Sequence, residues 1–166
     1  TGTDLLIHHC YVERRVRPLD LYLREVDEVL AERAVLDYGQ TIKDLAQSNI
    51  FAGDLLPKNF GVTGSGRVIF YDYDELRLMS ECAFRHWPES TNDVMTLSDE
   101  PWFYVGEDDV FPEQFSLFMG LGPKRLALLK ATHPEIFSPD WWISTQSTLT
   151  TGAAIDVPPF GAEAHL

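Results

Sequence analysis

Asp54, Asn59 and Asp72 are the residues whose types and spacing carry chemistry in this sequence. Two carboxylates and an amide offer hard oxygen donors, which suit Mg²⁺ better than a soft metal. Asn59 directly precedes a run of strand formers, Phe60-Gly61-Val62. Thr63-Gly64-Ser65-Gly66 then reads as a turn, and Arg67-Val68-Ile69-Phe70-Tyr71 as the return strand. A hairpin brings its two ends together, so Asn59 and Asp72 are expected at one end of the ribbon. The loop before the hairpin delivers Asp54 to that same end. Three oxygen-bearing side chains thus converge where a cation bridging phosphates would sit, with Asn59 and Asp72 as its ligands. Asp54 is placed to orient an attacking hydroxyl and accept its proton. Lys58 is placed to neutralise a transferred phosphoryl group.

Each of these residues also has a plain structural reading. Gly53-Asp54 is ordinary turn chemistry, Asn59 can satisfy loop backbone, and Asp72 and Asp74 can be solvated charges at a strand end. The order and spacing of the set favour the chemical reading.

The elements that must position the set are mostly helical. Residues 1–17 read as extended. His8, His9 and Cys10 sit together there, but no second cluster has metal-ligand spacing to match. Pro18-Leu19-Asp20 is a helix start, followed by Leu21, Leu23, Val26, Val29 and Leu30 at roughly helical intervals. A second helix is expected over Leu36 to Ala46, ending near Asn49. Residues 50–59 lack a clean period and read as a loop with apolar anchors. From 87 to 113 the chain reads as irregular, broken by Pro88, Pro101 and Pro112. Helices are expected over Glu113 to Phe118, over Lys124 to Thr132 and from Trp141-Trp142 onward, with a loose tail from Gly152. The fold class is therefore mainly α with one small β-hairpin (α+β).

The chain of 166 residues is long enough for one domain with a core, and ten Phe, six Tyr and four Trp can fill it. An apolar fraction of 45% and a charged fraction of 23% are those of a folded globular protein. Thirteen Lys plus Arg against 26 Asp plus Glu give a net charge of −13, which argues against a nucleic-acid surface. No apolar run approaches the ~20 residues that span a bilayer, so no membrane partner is expected. Two distant cysteines, Cys10 and Cys82, are not a disulfide scaffold, and with no secretory segment a reducing cytoplasm is expected.

The run Asp54-Leu55-Leu56-Pro57-Lys58-Asn59 fits the D-L-x-x-x-N catalytic-loop pattern of protein kinases, in which a later Asp, here Asp72, binds the metal. A longer resemblance surrounds it. Residues 49–63, from Asn49-Ile50-Phe51 to Gly61-Val62-Thr63, resemble the catalytic loop of the isocitrate dehydrogenase kinase/phosphatase family. So does Gly66-Arg67-Val68-Ile69-Phe70-Tyr71-Asp72-Tyr73-Asp74-Glu75. Glu13-Arg14-Arg15-Val16-Arg17-Pro18-Leu19, Asp37-Tyr38-Gly39, Glu100-Pro101-Trp102-Phe103, Asp109-Val110-Phe111-Pro112-Glu113 and Asp156-Val157-Pro158-Pro159-Phe160 are similar too, so the resemblance covers nearly the whole chain.

The resemblance implies a bifunctional bacterial enzyme that phosphorylates a serine of NADP-dependent isocitrate dehydrogenase and removes that phosphate. This switch divides carbon between the citric acid cycle and the glyoxylate bypass. It implies ATP and Mg²⁺ as cofactors, AMP as effector, a cytoplasmic location and a homodimer. By motif match Asp54, Asn59 and Asp72 carry over as catalytic and metal residues. Lys58 and Asp74 carry over as neighbours of the transferred phosphate, Asp74 as a carboxylate that positions a water for the phosphatase reaction.

The sequence departs from the pattern at Ala52, where the family is expected to carry Pro, and at Pro57, where it is expected to carry an apolar residue. No Gly-rich strand-turn-strand and no Val-Ala-Ile-Lys-like strand precedes Asp54, and those elements cover ATP. Residues 1–166 are therefore expected to be the C-terminal lobe of a kinase-like domain, a fragment lacking the N-terminal lobe and regulatory domain. Such a lobe is expected to turn over little alone and to expose apolar surface where the other lobe sits. Two alternatives use the same residues. One is an inactive kinase-like lobe that binds a partner protein. The other is a D-x-D phosphohydrolase of the haloacid dehalogenase type, with Asp72 as nucleophile.

Overall fold

The computed structural model describes residues 15–88 and 103–152. Its architecture is α+β, with helices packed around three very small sheets. The long helix α2 (Glu28–Gln47) runs through the middle of the core. Its buried positions Ala31, Ala34, Val35, Tyr38, Gly39, Ile42 and Ala46 recur at three- and four-residue steps, which is one face of a helix. Asp27 caps its start by accepting the Leu30 amide at 3.0 Å, an interaction worth about 1 kcal/mol. It ends at Asn49, whose φ of 64° is the left-handed conformation that stops a helix.

The short helix α1 (Leu19–Glu25) precedes α2 and buries Leu19 and Leu23. The sequence pattern carried this helix on to Leu30 and began the next at Leu36. The break falls instead at Val26-Asp27, because Asp27 is a better cap than anything downstream. Leu21, Val29 and Leu30, counted in the apolar stripe, are exposed.

The predicted hairpin is present. Strand β3 (Phe60–Val62) pairs antiparallel with β4 (Val68–Phe70), with Phe60 opposite Phe70, and β1 (Arg17–Pro18) adds to the other side of β3. Helix α2 holds the hairpin through its polar side chains. Asp37 accepts from the Val68 amide and from Arg67 Nε at 3.2 Å, and Thr41 donates to the Val68 carbonyl at 3.1 Å.

A second ladder was not legible in the sequence. Residues 50–51, read as loop, form β2 (Ile50–Phe51), which pairs antiparallel with β5 (Arg77–Leu78). Likewise β6 (Ala83–Phe84) pairs in parallel with β7 (Asp109–Val110), inside the segment read as irregular.

The C-terminal part is helical as expected, with shifted boundaries. A 3-10 turn at Pro112–Gln114 leads into the single turn α3 (Phe115–Phe118), followed by α4 (Pro123–Thr132) and α5 (Pro139–Thr150). Prolines open the 3-10 turn, α4 and α5, because the first helical turn needs no donor there. Trp142 of α5 is the hub of an aromatic cluster. It stacks on Phe84 at 5.1 Å and meets Phe51 and Phe115 edge-on at 5.7 and 5.8 Å. Its indole N–H, buried with the ring, donates to the Ile136 carbonyl at 2.8 Å.

Cys82 is a free, buried thiol. His8, His9 and Cys10, the match at Glu100-Pro101-Trp102, and the tail beyond Gly152 lie outside the described residues. Among the described residues no helix is long and apolar enough to cross a membrane.

Helices α2 and α4 approach closely at Gly39. A Cβ built there would lie 2.3 Å from the His133 ring. The imidazole is buried, and its Nε2 pairs with the Leu36 carbonyl at 3.0 Å, so Nε2 carries the hydrogen. Burial, then the nearby Lys43 ammonium, hold His133 below the usual histidine value, against the opposing pull of that carbonyl and Glu135. Lys43 itself is paired to Glu135 at 2.7 Å.

Gly39→Ala is expected to destabilise the fold by about 1–3 kcal/mol through overpacking, measured by urea denaturation. Because the native pKa of His133 is depressed, the unfolded chain takes up its proton first as pH falls. Its contribution is therefore complete above about pH 6.5 and declines from there toward the lowered native value. The urea midpoint should drop across that window, and a His133→Gln variant should show a shallower drop.

Candidate active site

Two ladders close the candidate site from opposite directions. The β3–β4 hairpin continues one step past Phe60 and Phe70, where the Tyr71 amide donates to the Asn59 carbonyl at 3.2 Å. This sets Asn59 beside Tyr71, with Asp72 next in the chain. The β2–β5 ladder pairs Phe51 with Arg77, so the chain after Asp72 turns back along the chain before Asp54. The approach is tight: a Cβ on Gly53 would meet the Glu75 carbonyl at 2.5 Å, and Gly53 itself has φ +72°.

Between the ladders, residues 52–59 form a loop that is partly buried, with Ala52, Leu55, Pro57 and Asn59 inside. Its polar groups are satisfied locally. Asp54 Oδ1 accepts the Leu56 amide at 2.9 Å, which leaves Oδ2 free. Asn59 Nδ2 donates one of its two hydrogens to the Asp54 carbonyl at 3.3 Å and leaves Oδ1 as an acceptor. Two phenols complete the frame: the Tyr38 hydroxyl donates to the Leu55 carbonyl, and the Tyr71 hydroxyl to the Lys58 carbonyl. Burial, then the Asp54 charge, push the Tyr38 hydroxyl far above the usual tyrosine range, so it remains a donor.

The predicted residues are thereby placed. Asp54 and Asp72 are half-buried, Asn59 is buried, and Lys58 and Asp74 are exposed. Asp72 Oδ1 lies 3.5 Å from the Asp74 amide, a weak turn contact. Among the described residues, none of Asp54, Asp72, Asp74, Glu75 and Lys58 forms an ion pair. Nor do three His, Cys, Asp or Glu side chains form a ready-made cation cage there. That donor set fits a Mg²⁺ held by one carboxylate and one amide, with phosphate oxygens and water completing its shell. The hairpin before Asp72 is antiparallel, unlike the parallel βα unit of a D-x-D phosphohydrolase.

A cavity of about 940 Å³ opens beside Asp54 and Asp74. Phe51, Leu55, Val110, Phe111, Phe115 and Met119 line it, and Phe118, 69% exposed, borders it. Sequence reasoning did not find this cavity or the two tyrosines. Its walls run from Phe51 to Met119, far apart in the chain, and a core tyrosine has no spacing signal of its own.

The model of the isocitrate dehydrogenase kinase/phosphatase (AceK) kinase domain matches residues 1–162. An isocitrate dehydrogenase kinase/phosphatase of Xanthomonas campestris pv. campestris (strain 8004) is 54% identical over 159 residues, 96% of this chain. Those of Xanthomonas euvesicatoria pv. vesicatoria (strain 85-10) and Anaeromyxobacter sp. (strain Fw109-5) are 53% identical over 165 residues and 47% over 163, 99% and 98% of this chain. The chain spans 28% of the length of each of these relatives. With a domain match over nearly its whole length, the chain belongs to the isocitrate dehydrogenase kinase/phosphatase (AceK) kinase-domain family.

Proposed function

We propose that residues 1–166 are the C-terminal lobe of a kinase-like domain within a longer protein. That protein would transfer a phosphoryl group from ATP to a serine of NADP-dependent isocitrate dehydrogenase and also hydrolyse the resulting phosphoserine. The observation that carries the reading is the hydrogen-bonded frame of the loop. Asn59 is tied to the Asp54 carbonyl at 3.3 Å while the hairpin returns Tyr71, the residue before Asp72, beside it. The names of the relatives supply the substrate. ATP and Mg²⁺ as cofactors, AMP as effector, the cytoplasm as location and a homodimer as assembly belong to the same proposal.

In this reading the free Oδ2 of Asp54 accepts the serine hydroxyl proton as that oxygen attacks the γ-phosphorus and ADP leaves. Asn59 Oδ1 and Asp72 would hold Mg²⁺, which supplies charge neutralisation across the phosphate oxygens. The Lys58 ammonium, unpaired and exposed, reaches the phosphoryl group as its charge spreads. For hydrolysis, Asp74 orients a water and takes its proton as the water oxygen bonds to the phosphoserine phosphorus; the bond from phosphorus to the serine oxygen breaks, and that oxygen leaves with the proton of Asp54, which is protonated in this direction. The apolar cavity beside Asp54 receives the substrate segment that carries the serine. The four unpaired carboxylates and the lysine favour this reading over an inactive partner-binding lobe, which has no use for them.

In the full-length protein, Asp54→Asn is expected to lower serine phosphorylation by about 10²–10⁴-fold, as loss of a general base does. Asp72→Asn should weaken Mg²⁺ binding, read by Mn²⁺ titration under electron paramagnetic resonance. Retention of transfer by Asp54→Asn would sink the kinase reading. Separately, Asp74→Asn should lower phosphoserine hydrolysis by at least tenfold more than phosphorylation; equal losses would remove its special role in placing water.

A further inference from the structure

Tyr71 is bonded twice to the candidate catalytic loop. Its amide donates to the Asn59 carbonyl at 3.2 Å and its hydroxyl to the Lys58 carbonyl. The residue therefore grips two consecutive peptides with its own main chain and the tip of its side chain. The ring reaches Lys58 by lying against β3 at Gly61. A Cβ on Gly61 would come within 3.0 Å of the Tyr71 ring and 2.9 Å of Val16. A side chain at 61 would crowd both the ring and Val16. The next residue along the chain is Asp72.

We infer that Tyr71 is a positioning residue that locks Lys58 to Asp72 through its hydroxyl, so that the lysine and the metal-side carboxylate are held in one frame. This rests on the proposed phosphoryl transfer. Phosphoryl transfer needs the cation and the ammonium on the same phosphoryl group at once, and displacements near 1 Å are costly there. Lys58 is exposed and forms no ion pair among the described residues, so its own side chain does nothing to fix where it stands. The Lys58 carbonyl is the nearest fixed point, and the phenol holds it. The Tyr38 hydroxyl grips the Leu55 carbonyl in the same way, but from inside the core and next to Asp54. Tyr71 is only half-buried, so removing its hydroxyl leaves the core intact.

The test is Tyr71→Phe in the full-length protein, with ATP and isocitrate dehydrogenase as substrates. The expected result is a kcat for phosphorylation roughly 10- to 100-fold lower. The KM values for both substrates and the Mn²⁺ affinity should stay within about twofold of wild type, and thermal stability should be nearly unchanged. Incorporation of 3-fluorotyrosine at position 71, which keeps the hydroxyl, should restore most of kcat. Gly61→Ala, which crowds the ring, should lower kcat in the same direction by a second route. An unchanged kcat in Tyr71→Phe overturns the inference. So does a loss that follows the unfolded fraction, or one shared with KM and Mn²⁺ affinity. Asp54→Asn run alongside separates the two failures: if it abolishes transfer while Tyr71→Phe does not, only the role of Tyr71 falls.

Discussion

An irregular segment folded into an apolar core must find partners for its peptide groups, because a buried unpaired carbonyl or amide costs about as much as a lost hydrogen bond. Residues 52–59 are such a segment. Backbone bonds within it, such as the Asn59 amide to the Leu56 carbonyl in the 3-10 turn Pro57–Asn59, supply some of the partners; two tyrosine hydroxyls, one asparagine amide and one aspartate carboxylate supply others. The aspartate and the asparagine are the residues proposed to act on the hydroxyl and the metal. Their structural and chemical readings are thus compatible, since each uses a different atom for each purpose. Asp54 Oδ1 caps the turn and Oδ2 is free; Asn59 Nδ2 braces the loop and Oδ1 is free.

The remaining elements exist to hold that loop still. Helix α2 stands behind it with Tyr38, whose ring meets Phe60 edge-on at 4.7 Å, and reaches the hairpin through Asp37 and Thr41. Its Ala and Gly positions let neighbours come close, at the expense of burying less area per residue. The aromatic cluster around Trp142 compensates from the other side. Phe51 belongs to that cluster and to β2, so the packing of the last helix bears directly on the residue three before Asp54.

What was legible in the sequence follows from range. The hairpin at 60–70 announced itself because strand formers, turn residues and the return strand are consecutive, and the convergence of Asn59 with Asp72 is a consequence of that local geometry. The helices of the C-terminal part were expected close to where they lie, though prolines set their true starts. The β2–β5 ladder did not show, since a two-residue strand has no period and its partner lies across the hairpin. Tyr38 and Tyr71 looked like ordinary core aromatics. Their function as donors to loop carbonyls depends on where the loop passes, which only tertiary packing decides. The division of α1 from α2 was missed because apolar residues at 26, 29 and 30 outvoted a single capping aspartate, although the cap prevails locally.

Charge is the last constraint. Several basic side chains of the fold are matched to acids: Lys43 to Glu135, Arg67 to Asp37, Arg77 to Asp108, Arg85 to Asp109 and Lys124 to Glu28. At the candidate site, among the described residues, Asp54, Asp72, Asp74 and Glu75 have no paired cation, and Lys58 is exposed. A multivalent cation with its phosphates would supply the missing partner, and anything that binds only the folded arrangement also stabilises it. The backbone hydrogen bonds at Asn59, Tyr71, Phe51 and Arg77 therefore do what ion pairs do elsewhere in this fold. They hold acidic side chains in place without neutralising them, and so keep their oxygens available to a metal.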